Sequence, residues 1–286
     1  VSYLVRRQPN RGRPAGTSVQ QLNGLSFPSN DDAPTDAFVA IKFVNPDTNG
    51  LPAYGPSDVG VTVIREVYCN TQGAETVNNS FYWAQFWWSE GNGDFELAYQ
   101  YWGAHPFPRG GSPGTTNDPI WELSLRADFT DTDQGFGVKN DTEIGRWYTQ
   151  AIIISKSGAT VTGKLYIDLP STAAGNIITG TNSAGTLPTT PQITIGDSPW
   201  FGFYTHERFS GILGRIKIIA TGMSEADILS EAADMTQLVT TAAQNNIWWG
   251  KNNFESIDDL TCDYATGRSF VWADVNNKAA LVAISS

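Results

Sequence analysis

Along most of the chain, apolar residues recur at alternate positions over short runs, and turn-forming residues separate the runs. That period belongs to strands that bury one face. It is clearest at 36–44 (DAFVAIKFV), 60–70 (GVTVIREVYCN), 121–129, 146–155, 162–169 and 192–196, and GILGRIKIIA at 211–220 is the last strong run. The segment 80–102 (SFYWAQFWWSEGNGDFELAYQYW) predicts two strands around Gly91, Asn92 and Gly93. These residues tolerate the positive φ of a tight turn, so a hairpin is expected there. By contrast, 45–58 (NPDTNGLPAYGPSD) is dense in turn formers and reads as a loop.

The period changes once. In 223–244, Ile228, Ala232, Met235 and Val239 fall at helical spacing, and Ser224 with Asp227 forms an N-cap pair. One helix near 224–243 is therefore expected. The residues after it are turn-rich with short apolar runs, too few for an independent core, and read as strands or loops folding back on the sheet. At the other end, residues 1–20 are rich in Pro, Gly and Asn and offer no apolar face. The organisation expected is an extended arm over 1–20 and one domain over 21–286, with the C-terminal extension packed on it.

Composition agrees with an all-β chain: 40% of the 286 residues are hydrophobic and 16% charged, with 28 Gly and 15 Pro. The net charge of −11 repels nucleic acid and anionic membranes, and no run reaches the ~20 apolar residues of a membrane-spanning helix. Neither nucleic-acid binding nor membrane insertion is expected. The exception to the acidic balance is the arm, where Arg6, Arg7, Arg11 and Arg13 cluster. They read as a solvated tail or as a docking element for an acidic neighbouring subunit. Val1 fits removal of an initiator Met after synthesis in the cytoplasm, and equally a trimmed signal peptide or a processed precursor. Cys69 and Cys262 form no disulfide framework in a chain this long, and both are expected as thiols.

The segment RWYTQAIIISKSGATVTGKLYIDLPS (146–171) resembles the central hairpin of the laminin-G-like, concanavalin A-like lectin-glucanase family, with Trp147, Tyr166 and Asp168 in the places of its Trp-led strand and Tyr-x-Asp. The segment 193–228 is similar to that family's ending: an Ile-Gly turn, Arg-Phe-x-Gly, a final hydrophobic strand and a Ser-x-x-Asp helix start. The resemblance implies a jelly-roll β sandwich. It says little of activity, because the family includes adhesion modules, lectins, hydrolases and lyases. The runs GAHPFPRGG (103–111), YIDLPST (166–172), IGDSPW with HERFSGIL (195–213) and NIWW with SIDDL (246–260) further resemble laminin-G-like proteins encoded among tailed-bacteriophage virion genes. That implies a place on the virion surface, as a decoration protein or as part of a head or tail fibre, with other virion proteins or its own copies as partners.

Candidate chemistry is sparse. Asp94 and Glu96 share a strand face and could serve glycoside hydrolysis, but the third carboxylate of the hydrolase pattern is missing. His206, Tyr204 and Arg208, or His105 and Arg109, hold pieces of a polysaccharide lyase site without its patterns, and loop-tying histidines account for them more simply. No zinc spacing or phosphate-binding glycine loop occurs. Calcium is the one cofactor considered, at Asp128, Asp131 and Asp133 or at Asp258 and Asp259, where ordinary solvated turns are the alternative. The aromatic band is the main binding candidate. Trp83, Trp87, Trp88, Tyr99, Tyr101 and Trp102, with Tyr82 and Phe86, cannot all face one core, because strand neighbours point to opposite sides. Outward members would stack on a cell-surface glycan or bury against another subunit. The expectation is a non-catalytic contact protein, with a secreted glycan hydrolase or lyase, or a free-standing lectin, as alternatives.

Overall fold

The computed structural model describes residues 21–27, 39, 41–44, 59–69, 86–89, 96–102, 120–126, 135–139, 145–157, 160–182, 192–195, 211–264 and 269–284. Among the described residues, twelve strands precede the α-helices: β1 (Leu22–Phe27), β2 (Ile41–Val44), β3 (Val59–Cys69), β4 (Phe86–Ser89), β5 (Glu96–Trp102), β6 (Ile120–Arg126), β7 (Gly135–Lys139), β8 (Trp147–Ser157), β9 (Thr160–Tyr166), β10 (Ile177–Asn182), β11 (Gln192–Ile195) and β12 (Gly211–Ile219). Helices α1 (Glu225–Ala233) and α2 (Thr241–Asn246) follow, and then β13 (Ile247–Lys251), β14 (Ser269–Trp272) and β15 (Ala280–Ile284).

The strands make two sheets. One has eight strands in the order β10-β9-β8-β3-β12-β1-β15, with β13 also on β12; the other has seven, in the order β14-β2-β11-β4-β5-β6-β7. Every pairing is antiparallel. The molecule is an all-β jelly-roll sandwich. Its core lies between the sheets, where Val61, Val63, Val67, Ile152, Ile154, Leu213 and Ile218 of the larger sheet meet Ile41, Ile195, Phe270 and Trp272 of the smaller. Each such side chain contributes roughly 1.5–3 kcal/mol when fully buried.

The larger sheet is also covered on its outer side. There Ile64, Ala151, Ile153, Tyr166 and Ile219 pack with Ile228 of α1, Met235 and Ala243 of α2. Burial on both faces is why β8 reads Ala151-Ile152-Ile153-Ile154 without a polar break. The segment leading to α1 runs tightly over β3: a Cβ on Gly60 would lie 2.5 Å from the Ile154 carbonyl oxygen and 2.6 Å from the Gly222 nitrogen. Only glycine permits that approach.

The hairpin predicted around Gly91 is present as β4 and β5, with Ser89 opposite Glu96 and Phe86 opposite Tyr99. The strand expected at 162–169 is shorter. It leaves the ladder after Tyr166, Leu169 N–H donates to the Thr149 carbonyl at 2.8 Å, and Asp168 sits in the turn. The C-terminal segment supplies strands to both sheets, through β13 and β15 on one side and β14 on the other. Cys69 and Cys262 are not bridged to each other. Cys69 faces Gly211 of β12, while Cys262 Sγ accepts from Gly250 N–H, which faces Lys217. Those positions are about 20 Å apart along the strand, far beyond the reach of a disulfide.

The single helix expected over 224–243 is two helices, and Val239 is 44% exposed instead of on the buried face. The chain leaves α1 at Asp234, whose backbone is extended (φ −131°, ψ 95°). The cause lies on β12. The Lys217 ammonium takes up the carbonyls of Glu231, Asp234 and Gln237, so these oxygens are satisfied without a further helical turn. The start of α1 does follow the sequence: Ser224 caps it, its Oγ accepting from Asp227 N–H at 3.2 Å and donating to Asp227 Oδ2 at 2.7 Å. Ser224→Ala is expected to lower folding stability by about 1 kcal/mol, read as a shift in the urea midpoint.

Candidate functional site

Two groups of residues stand out, a line of charges on the helix-covered face of the larger sheet and the aromatic band of the smaller one. The first is centred on β12, where Arg215 sits within a bulge in the pairing with β3, between Leu213 and Ile216, and Lys217 follows just beyond it. Arg215 grips Glu66 of β3 with both ends of its guanidinium, Nε and Nη2 donating to the two carboxylate oxygens at 2.6 Å each. Gly214 leaves room beside this pair for Trp147, whose ring would touch a Cβ there at 3.2 Å, and Trp147 in turn packs on Tyr68 with ring centroids 5.6 Å apart.

Lys217 and Glu231 are both 0% exposed and meet at 2.6 Å. The ammonium shares its three protons among four oxygens, Glu231 Oε2 and the carbonyls of Glu231, Asp234 and Gln237. The other carboxylate oxygen of Glu231 accepts from Val239 N–H, Thr240 N–H and Thr240 Oγ1. Burial pushes the Lys217 pKa down, and the Glu231 hydrogen bond works against that shift. With every proton engaged, Lys217 is a structural cation and has no lone pair for base chemistry. The Glu66 carboxylate is likewise held by a guanidinium that does not give up its proton.

The motif residues of 146–171 are tied together. Tyr166 Oη donates to Glu225 Oε2 at 3.0 Å, joining the β8–β9 hairpin to the first turn of α1. Burial and that bond push the phenol up to about 12. Asp168 accepts from Arg146 at 2.8 Å, and the Arg146 guanidinium lies 4.0 Å over the Tyr148 ring. These contacts fix the hairpin against the helix.

The aromatic band falls on strands in the interior of the seven-stranded sheet: Trp87 and Trp88 on β4, Tyr99, Tyr101 and Trp102 on β5. In register, Trp87 stands opposite Ala98 and Thr194, Trp88 opposite Leu97 and Ile193, and Tyr101 opposite Trp121. Glu96 opens β5 opposite Ser89 and Arg126. Trp83, Asp94, the calcium candidates Asp128, Asp131 and Asp133, His105, Arg109, Tyr204, His206, Arg208 and the arm residues Arg6, Arg7, Arg11 and Arg13 lie outside the described residues. The second calcium candidate is engaged by lysines. Asp258 pairs with Lys278, while Asp259 accepts from Thr261 N–H at 3.0 Å and stands 3.8 Å from Lys251. Among the described residues, no group of three His, Cys, Asp or Glu side chains is placed to hold a metal ion.

Sequence reasoning missed the Lys217–Glu231 and Arg215–Glu66 pairs. Their signal was present in Gly-Arg-Ile-Lys-Ile-Ile, where two cations alternate with isoleucines inside a run otherwise apolar enough to be buried on both faces.

No protein-family model and no curated protein matches the chain. Among solved structures, it is similar to a native heptameric SAP-like pentraxin from Limulus polyphemus, at 16% identity and a TM-score of 0.49 over 92% of this chain and 95% of that one. It is also similar to the enzymatically active domain of tailspike protein 2 of bacteriophage CBA120, at 11% identity and a TM-score of 0.44, covering 81% of this chain but 36% of that one. A carbohydrate binding protein from Bacteroides ovatus ATCC 8483 is similar at 9% identity and a TM-score of 0.45, over 94% of this chain and 61% of that one. These likenesses concern architecture alone.

Proposed function

We propose that the chain is a non-catalytic surface protein of a bacteriophage particle, a decoration, head-fibre or tail-fibre component that acts by contact. In this reading the aromatic band of β4 and β5 meets a host-surface glycan or a neighbouring virion subunit, and the basic arm docks on an acidic neighbour. The observation that carries it is an asymmetry between the sheets. The larger sheet has its outer face filled by α1 and α2, whereas the aromatic-rich strands run through the middle of the other sheet. Consecutive residues of a strand belong to opposite faces, so a band with successive aromatics serves a core and a second surface together. The phrases shared with phage virion proteins support the location.

The test has two arms. Mass spectrometry of purified particles is expected to find the chain, and its absence would remove the virion assignment. A panel of bacterial surface polysaccharides, titrated with and without EDTA, is expected to show binding without release of reducing sugar. Sustained release that Glu96→Gln or His206→Ala abolishes would make the chain a glycan hydrolase or lyase. Binding lost in EDTA, restored by calcium and abolished by Asp131→Ala would assign a metal to the Asp128, Asp131 and Asp133 loop.

A further inference from the structure

We propose that the free edge of β15 docks on the same edge of a second copy of this chain, so that the larger sheets of two molecules continue into one another across a two-fold axis. The inference does not rest on the glycan or virion reading. Among the described residues, β15 pairs on one side alone, with β1, and ends the eight-stranded sheet. An edge strand presents a row of N–H and C=O groups that can pair with another chain, and folded proteins block such rows with charges, proline or bulges. Here none of these devices is present: residues 279–286 read AALVAISS, with no charged side chain and no proline.

The side chains point the same way. Among the described residues the exposed large apolar side chains are Val239, Val271, Val275 and Leu281. Leu281 is on β15, Val271 on β14 at the matching edge of the smaller sheet, and Val275, 71% exposed, is in the turn between these strands. Three of the four thus gather on one flank of the sandwich.

A second copy is the occupant that fits. Two chains of net charge −11 repel over most of their surfaces, and an uncharged segment is where they approach at least cost. The strand is also self-complementary. Antiparallel pairing centred on Val282 sets Val282 opposite its own equivalent, Leu281 opposite Ala283 and Ala280 opposite Ile284, and the two-fold closes the assembly at a dimer. A strand of five residues makes a small interface, so the dimer is expected to dissociate on dilution.

Sedimentation equilibrium of the full chain is expected to show a concentration-dependent dimer. Leu281→Lys with Ala283→Lys, both at exposed positions, places charge on the edge and is expected to weaken it at least tenfold, with an unchanged urea midpoint. Register is tested by disulfide trapping. Under mild oxidation Val282→Cys is expected to give a covalent dimer, because opposed residues of antiparallel strands lie about 4.5–5.5 Å apart. Ala280→Cys, whose equivalent would be about 13 Å away, is expected to remain unlinked, as is the parent chain. A chain monomeric at all concentrations, a dimer that survives both lysines, or one lost only on removal of residues 1–16 would overturn the proposal. If the lysine variant fails to fold, the trapping pair decides. None of these outcomes alters the particle or glycan tests.

Discussion

Lys217→Met is expected to destabilise the fold by about 3–5 kcal/mol, the usual cost of removing one partner from a buried ion pair. The Glu231 carboxylate would remain fully buried with its Oε2 unpaired, and the carbonyls of Glu231, Asp234 and Gln237 would lose their shared donor. Met matches the length of Lys, so packing changes little and the loss reports on charge and hydrogen bonding. The measurement is urea unfolding followed by circular dichroism. Adding Glu231→Gln should recover part of the loss, because no charge is then stranded, while Gln keeps an oxygen for Val239 N–H and Thr240 N–H. A double variant as unstable as the sum of the single ones would mean that the two residues do not act as a pair.

Trp249→Ala is the second large effect, about 3–5 kcal/mol from lost burial and the cavity left behind. Trp249 on β13 is fully buried, and its ring meets Phe270 of β14 edge-on at 4.4 Å. The contact joins a strand of the larger sheet to one of the smaller, so the cavity would open between the layers. Its indole N–H donates to the Leu260 carbonyl at 3.3 Å, which also accepts from Phe270 N–H at 3.2 Å. Trp249→Phe leaves that carbonyl one donor and is expected to cost less than half as much. Thermal unfolding of the two variants checks the order, and equal losses would refute the packing account.

Runs such as 60–70 and 211–220 were legible because alternation and burial on both faces leave an unmistakable apolar signature. The β4–β5 hairpin was legible from its turn residues. The short strands β1, β7 and β10 were not, because LNGLSF, GFGVK and IITGTN are dilute in apolar residues and take their conformation from neighbours. The break between α1 and α2 was illegible for a sharper reason. The group that ends the helix is Lys217, on a strand 14–20 residues earlier, and no local pattern contains it. The same holds inside the sandwich, where Arg65 and Gln150 occupy core-facing positions and bond at 3.3 Å. The aromatic band was legible as a band and its strands as strands. Which of its members meet a partner depends on tertiary arrangement, which strand propensity does not encode.

One edge of β12 is divided between β1, against Gly211–Leu213, and β13, against Ile216–Ile219, and β1 then holds β15 on its far side. β1 therefore waits between partners that come much later in the chain. The larger sheet cannot be completed until residue 284 has emerged from the ribosome. A chain stopped before residue 280 would leave β1 without the partner at its outer edge, and its larger sheet would stay open on that flank.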